Sequence, residues 1–291
     1  MTSDSRTRMP HHRSLVRVRF YRGSAGRSRL SLLPAALTLV IALGIPTSAA
    51  ALADPAAKFD DAANRASATR AFTINLYEDG DFASQRTIYW CVGASMQMML
   101  NIVDLTDDDS RADQERYMRL ARSRGPSLRQ VDHGQTDDAA GGALRGAGST
   151  GWARGLVELG AGGYREQAVD GYDAAVREAA EALRRTGRPV GLIVWRGAHA
   201  WVMSGFTATA DPLVDPDFRV TAVYVQDPWY PRVSSIWGPG QKPNSLISTK
   251  ALKADFLPRR GGAWHAELAG KYVLVVPIDP LMPAVRERRM I

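Results

Sequence analysis

Four residues of this 291-residue chain have side chains suited to acyl transfer by a thiol, and they occur in the order Gln85, Cys91, His199, Asp227. Attack of a thiolate on a carbonyl carbon is assisted by a neighbouring imidazole that takes up and returns a proton. An acid orients that imidazole, and two hydrogen-bond donors stabilise the oxyanion. Cys91 is the only cysteine, so it is the only candidate for such a nucleophile.

Cys91 stands at the start of an apolar pattern with helical spacing. Val92, Met96, Met99 and Ile102 recur at intervals of three and four, whereas aromatic and β-branched residues precede the cysteine. We therefore predict a helix that begins at or near Cys91. The unpaired N–H groups and the positive dipole end of such a helix favour thiolate over thiol. The alternative is that Cys91 is a small buried hydrophobic residue, the commonest role of a free cysteine.

Gln85 precedes Cys91 by six residues and has a side-chain amide that can donate hydrogen bonds. Together with the backbone N–H of Cys91, it could supply the two donors that an oxyanion requires. The alternative is an ordinary exposed polar residue in a turn.

His199 lies in a predicted β-hairpin. An apolar strand at Val190–Trp195 is followed by a turn at Arg196-Gly197 and a second strand at Ala198–Phe206, which His199 nearly begins. An imidazole among apolar neighbours needs a hydrogen-bond partner. It could be a core histidine bonded to a backbone carbonyl, or the general base for Cys91.

Asp227 follows the end of an alternating strand that begins at Val220. Pairing of that strand with the His199 strand would let the carboxylate reach the second imidazole nitrogen and fix its tautomer. A plain Asp-Pro turn is the alternative. His133 and His265 could also serve as the base, but His199 alone precedes a second strand that ends in an acid.

The net charge of +7 arises from the first 29 residues, which contain eight arginines and one acid. The rest of the chain has equal numbers of basic and acidic residues, so nothing indicates a nucleic-acid surface. The apolar run Leu30–Ile45 and the small residues Ala51-Leu52-Ala53 predict a secretory signal cleaved before Asp54. The alternative is an uncleaved membrane anchor.

Other segments predict ordinary structure and no metal site. The acidic residues Asp107–Asp109 lack the ligand spacing of a calcium loop and indicate a helix start, with a charged helix at Arg111–Ser123. Scattered histidines and a single cysteine do not form a zinc motif, so we expect neither a metal nor a cofactor. Further elements are predicted as a mobile surface loop at 130–150, helices at Trp152–Leu159 and Tyr172–Thr186, and a buried strand at Tyr272–Ile278.

The Gln85-x5-Cys91 spacing, the helix that follows, the block GRPVGLIVWRGAHAWVMSGF and the strand ending in VQDPWYP resemble papain-clan cysteine peptidases. The resemblance spans roughly residues 72–278 and is closest to the bacterial branch related to bacteriocin-processing, double-glycine leader peptidases. It implies an α+β fold in which a helical subdomain carrying Cys91 packs on an antiparallel sheet carrying His199 and Asp227, with a cleft between them. The residues beside Cys91 differ from the Cys-Gly-Ser-Cys-Trp string of papain, so papain's specificity is not expected.

The resemblance implies that Cys91 is the nucleophile, His199 the base and acid, Asp227 the orienting acid and Gln85 an oxyanion donor. The expected organisation is a basic leader plus signal peptide at 1–53, a linker at 54–71 and a peptidase domain at 72–291. The expected protein is a secreted, monomeric cysteine peptidase acting on peptides or proteins, away from membranes and nucleic acids. Two alternatives stay open. One is transglutaminase-like or amidase acyl transfer on cell-wall peptides. The other is a non-catalytic domain that binds peptides through its aromatic residues, Trp195, Trp201, Trp229, Tyr230 and Trp237.

Overall fold

The computed structural model describes residues 70–125, 146–261 and 266–280. The predicted leader, the signal peptide and nearly all of the linker lie outside the described residues. So do positions 130–145 of the predicted loop, together with His133 and His265. Among the described helices, none combines the length and apolarity needed to span a membrane.

The described residues form nine strands and five α-helices. The strands are β1 (Phe72–Asn75), β2 (Tyr164–Val169), β3 (Val190–Val194), β4 (His199–Ala208), β5 (Val220–Gln226), β6 (Val233–Ser234), β7 (Gly238–Pro239), β8 (Ser245–Ser248) and β9 (Tyr272–Pro277). The helices are α1 (Cys91–Asp104), α2 (Arg111–Arg124), α3 (Ser149–Glu158), α4 (Tyr172–Thr186) and α5 (Thr249–Leu252).

Seven strands make one sheet in the order β2-β9-β3-β4-β5-β8, and β1 pairs with the second half of β4. All neighbouring strands in it are antiparallel. β6 and β7 form a separate antiparallel pair. The predicted α+β class with an antiparallel sheet is therefore confirmed, and the predicted burial of the last strand is also confirmed because β9 lies between β2 and β3.

The sheet has a hydrophobic core on each face, because successive side chains of a strand point to opposite sides. The face covered by α1, α2 and α3 presents Ile193, Ala200, Val202, Val273 and Val275. The face covered by α4 presents Leu192, Val194, Trp201, Met203, Leu274 and Val276. The helix that begins at Cys91 thus packs directly on the strand that begins at His199.

Most predicted elements are present with small shifts at their ends. α1 begins at Cys91, α4 has the predicted bounds, and α2 follows the acidic cluster with Ser110 as its N-cap, accepting from the Asp113 N–H. β3 ends one residue earlier than predicted because Trp195 and Arg196 take left-handed φ values of 54° and 59°.

The C-terminal boundary of the predicted loop at 130–150 is wrong. α3 begins at Ser149 rather than at Trp152, so residues 149 and 150 are helical. The run of glycine and small polar residues before Trp152 has no apolar period and therefore looks like a loop in sequence. Close helix packing explains Gly151, since a Cβ there would lie 1.9 Å from the backbone oxygen of Ala121 in α2.

Substituting alanine for Gly151 is expected to destabilise the protein by about 2 kcal/mol, because a backbone carbonyl cannot easily move away from the added methyl group. This exceeds the gain of about 1 kcal/mol in helix propensity. Gly155→Ala on the same helix is the matched control, since its Cβ would press only on the flexible end of Met96 and would lie at ordinary contact distance from Leu120. Thermal denaturation of both variants measures the difference. Equal midpoints would contradict the packing argument.

Candidate active site

The antiparallel pairing of β4 and β5 brings His199 and Asp227 together. β4 begins at His199, and Asp227 follows the last residue of β5, so the start of one strand lies beside the end of the next. The His199 Nε2 and the Asp227 Oδ1 are 2.7 Å apart, and both side chains are almost fully buried. The predicted contact is present, and the alternative of a histidine bonded to a backbone carbonyl is wrong for this nitrogen.

The Asp227 carboxylate is fixed by two backbone donors. The Trp229 N–H donates to Oδ1 at 2.8 Å, and the Gln241 N–H donates to Oδ2 at 2.9 Å. Hydrogen bonds to a charged acceptor are the stronger kind. Both oxygens therefore have partners, and the carboxylate is held in the orientation that the His199 ring requires.

Cys91 contacts the same imidazole from α1. Cys91 is half-buried, lines the same cavity as His199, and raises the pKa of the His199 ring through hydrogen bonding and charge. Because Nε2 is bonded to Asp227, Nδ1 is the nitrogen left for sulfur. The Ser95 hydroxyl, one turn further along α1, donates to the Ala200 carbonyl at 3.3 Å and ties the cysteine helix to the histidine strand.

The electrostatic surroundings favour a protonated His199. Burial lowers its pKa, but hydrogen bonds and charge interactions with Asp227 and Cys91 outweigh burial and raise the pKa to about 9. The ring is therefore an imidazolium at neutral pH. An imidazolium beside the sulfur stabilises a thiolate and holds a proton ready for a leaving group.

Gln85 is buried, with 1% of its surface exposed, so the alternative of an exposed turn residue is wrong. Its backbone N–H donates to the Pro228 carbonyl at 2.9 Å, next to Asp227. Its side-chain Nε2 donates to the Thr87 carbonyl at 2.7 Å, which leaves the second hydrogen of that amide for another acceptor. The Cys91 N–H, as the first of a helix, has no intrahelical acceptor. The role of these donors at an oxyanion stays a prediction.

Sequence reasoning missed Gln114, which holds the Gln85 segment in place. Gln114 lies on α2 and is fully buried. Its Oε1 accepts from the Arg86 N–H at 2.7 Å, and its Nε2 donates to the Ser84 carbonyl at 3.2 Å, so it bonds to the backbone on both sides of Gln85. A polar residue on an amphipathic helix gives no sequence signal that separates this role from ordinary solvation.

Aromatic rings enclose the His199 imidazole. Trp195 stacks on it with ring centroids 4.2 Å apart, and Trp229 approaches it edge-on at 6.2 Å. Trp195 also donates from its indole to Asp255 at 2.9 Å and stacks on Trp237. Its left-handed φ of 54° is unusual for a bulky residue and is held by these contacts. The rings exclude water, which strengthens the His199–Asp227 interaction.

Cys91 and His199 line a cavity of about 90 Å³. The other lining residues are Val92, Gly146, Ala147, Gly148, Ser149, Ile193, Gly197, Ala198, Ala200 and Arg259. Most of them are small, so the cavity is a narrow slot beside the thiol. Arg259 is the one lining residue whose side chain is positively charged at all pH values of interest. No motif or spacing in the sequence distinguishes it from the other arginines.

In the described part of the chain, no cluster of three or more His, Cys, Asp or Glu residues is arranged to hold a metal ion. The site is instead composed of a thiol, an imidazole, a carboxylate and amide donors. Comparison with models of known protein families finds no match, and comparison with curated protein sequences also finds none.

Proposed function

We propose that the protein is a cysteine peptidase that hydrolyses peptide bonds through Cys91, His199 and Asp227. The observation that carries this proposal is the buried His199 imidazole, which bonds to the Asp227 carboxylate and lines one cavity with the Cys91 thiol. The resemblance of the sequence to papain-clan peptidases supports the same assignment, as does the position of Cys91 at a helix start packed on an antiparallel sheet. Export stays a prediction from the leader sequence.

The reaction begins with attack of the Cys91 thiolate on the carbonyl carbon of a substrate peptide bond. The oxyanion then accepts from the Cys91 N–H and from the Gln85 amide. His199 donates its proton to the departing amine, and the C–N bond breaks to leave a thioester. The now neutral His199 takes a proton from water, which attacks the thioester and releases the acid and the thiolate.

The proposal predicts fast alkylation of Cys91 by iodoacetamide at pH 7, slowed about tenfold or more in His199→Ala, because a free thiol is only a few per cent ionised at that pH. The reaction rate is measured by mass spectrometry on the folded protein, in which Cys91 is the only thiol. His265→Ala is the matched control and should react like the parent.

Above pH 9 the alkylation rates of the parent and of His199→Ala should become equal. The pKa of His199 is raised to about 9, so the parent loses its imidazolium charge above that pH. Equal rates in both proteins at pH 7 would contradict a catalytic pair and would support the non-catalytic peptide-binding alternative.

A further inference from the structure

The cavity beside Cys91 contains a fixed positive charge that the proposed mechanism does not use. The Arg259 backbone is held on both sides, because its N–H donates to the Lys271 carbonyl and its own carbonyl accepts from the Gly270 N–H. Its side chain lies over Gly197, where an added Cβ would be 3.2 Å from Nη1. Gly197 precedes His199 by only two residues, so the guanidinium lies at the wall of the catalytic cavity.

The Arg259 guanidinium is half-buried without a hydrogen-bond acceptor among the described residues. Burial lowers its pKa, and the charges of Glu166 and Glu267 act in the opposite direction. A guanidinium carries five N–H donors and no acceptor, so it can bind an anion that enters the cavity.

Two other buried or partly buried arginines have hydrogen-bond acceptors within the protein, whereas Arg232 lies over the Trp229 ring with its Nη1 buried and without a partner. Arg184 makes a bidentate contact with the Asp211 carboxylate, in which Nε donates to Oδ1 at 2.9 Å and Nη2 donates to Oδ2 at 2.8 Å. Arg188 donates to the Ala161 and Pro280 carbonyls. Arg259 differs from Arg184, Arg188 and Arg232 in lining the cavity that contains Cys91 and His199.

We propose that Arg259 binds a carboxylate of the substrate, so that the enzyme prefers peptides with an acidic group next to the scissile bond. This inference rests on the proposed peptidase function and names the class of substrate. A guanidinium pairs with a carboxylate through two parallel hydrogen bonds, which fixes orientation as well as charge. The slot of about 90 Å³, lined largely by glycine and alanine, accommodates a short acidic group.

The carboxylate could belong to an Asp or Glu side chain or to the C-terminus of a peptide. Both sources present the same planar anion to Arg259. The difference is that a side chain allows cleavage inside a long peptide, whereas a terminal carboxylate restricts cleavage to the last residues.

The first test compares alkylation of Cys91 by iodoacetate and by iodoacetamide, which differ in one carboxylate. In both reactions the thiolate sulfur forms a bond to carbon and iodide leaves with the bonding electrons. We expect Arg259→Gln to lower the iodoacetate-to-iodoacetamide rate ratio about tenfold, through loss of one charge-assisted contact. Arg259→Lys should keep most of the ratio, which also guards against misfolding of the glutamine variant.

Arg260→Gln is the matched control for net charge. Arg260 is exposed, is adjacent in sequence and does not line the cavity, so its removal should leave the ratio unchanged. An unchanged ratio in Arg259→Gln, or an equal fall in Arg260→Gln, would overturn the proposal. An iodoacetamide rate no faster than that of a free thiol would contradict the peptidase function instead, and the ratio would still report on Arg259.

The second test identifies the source of the carboxylate with two peptide mixtures analysed by mass spectrometry. One contains Asp and Glu with amidated C-termini, and the other contains Asn and Gln with free C-termini. Cleavage confined to the first mixture assigns an acidic side chain, and cleavage near the ends of the second assigns the terminal carboxylate. Either preference should disappear in Arg259→Gln. Equal cleavage of both mixtures by the parent and by the variant would overturn the proposal.

Discussion

Replacing Cys91 with alanine is expected to abolish peptide hydrolysis, with a fall in kcat on the order of 10⁵-fold or more. The reason is that Cys91 supplies the only thiol in the chain, and this thiol interacts with the His199 imidazole in the cavity. Removal of the sulfur prevents the thioester, and the remaining oxyanion donors stabilise only a slow attack by water. The measurement is the cleavage of a peptide mixture by parent and variant, followed by mass spectrometry.

Cys91→Ser provides the structural control, because it keeps a polar group of similar size at the same helix start. A serine hydroxyl is a weak nucleophile at its ordinary pKa, so this variant should also be nearly inactive while it melts like the parent. Retention of turnover in Cys91→Ala would disprove the proposed nucleophile. Peptide binding without turnover in the parent, unchanged in the variant, would establish the non-catalytic alternative.

Replacing Asp227 with alanine is expected to lower kcat/KM about 10³-fold, because the His199 ring loses the group that orients it. The substitution also leaves two backbone donors, from Trp229 and Gln241, without their acceptor. Asp227→Asn should lose less activity, since its amide oxygen still accepts from the imidazole. An Asp170→Ala variant, which removes an exposed carboxylate that contacts Lys271, should behave like the parent.

The pH profile separates orientation from simple structural damage in these Asp227 variants. In the parent, kcat/KM should fall as pH rises through about 9, because His199 loses the proton that it donates to the leaving amine. Loss of the Asp227 charge removes a contribution that raises the His199 pKa, while burial continues to lower it. The alkaline limb should therefore move to lower pH in both variants. An alkaline limb that stays in place would show that Asp227 does not act through His199.

Hydrolysis and acyl transfer share all of these residues, since both proceed through the same thioester. An added amine competes with water for that intermediate and yields an amide if the cavity admits it. The aromatic rings of Trp195 and Trp229 around His199 limit the space on one side of the imidazole. The ratio of acid to amide product thus measures access to the thioester, independently of the identity of the nucleophile.

The sequence by itself predicted the local elements that carry the candidate residues. The apolar spacing after Cys91 gave the start of α1, and the hairpin pattern gave the turn before His199. Strands that follow one another in sequence commonly pair, and the antiparallel pairing of β4 and β5 places the start of β4 beside the end of β5. Strand order therefore made proximity of His199 and Asp227 a reasonable expectation, whereas the register, which shifts at two points along β4, came from the tertiary structure.

Only the tertiary structure decided which distant residues surround that contact. Gln114 bonds to the chain on both sides of Gln85 from a helix 28 to 30 positions away, and Arg259 reaches the cavity from a segment after α5. The Trp195 ring stacks on the His199 ring because the backbone of Trp195 has a left-handed φ instead of an extended one. Periodicity reports only whether a side chain faces the core or solvent. It does not report which polar group a buried amide or guanidinium meets, because that depends on how helices and loops pack across the sheet.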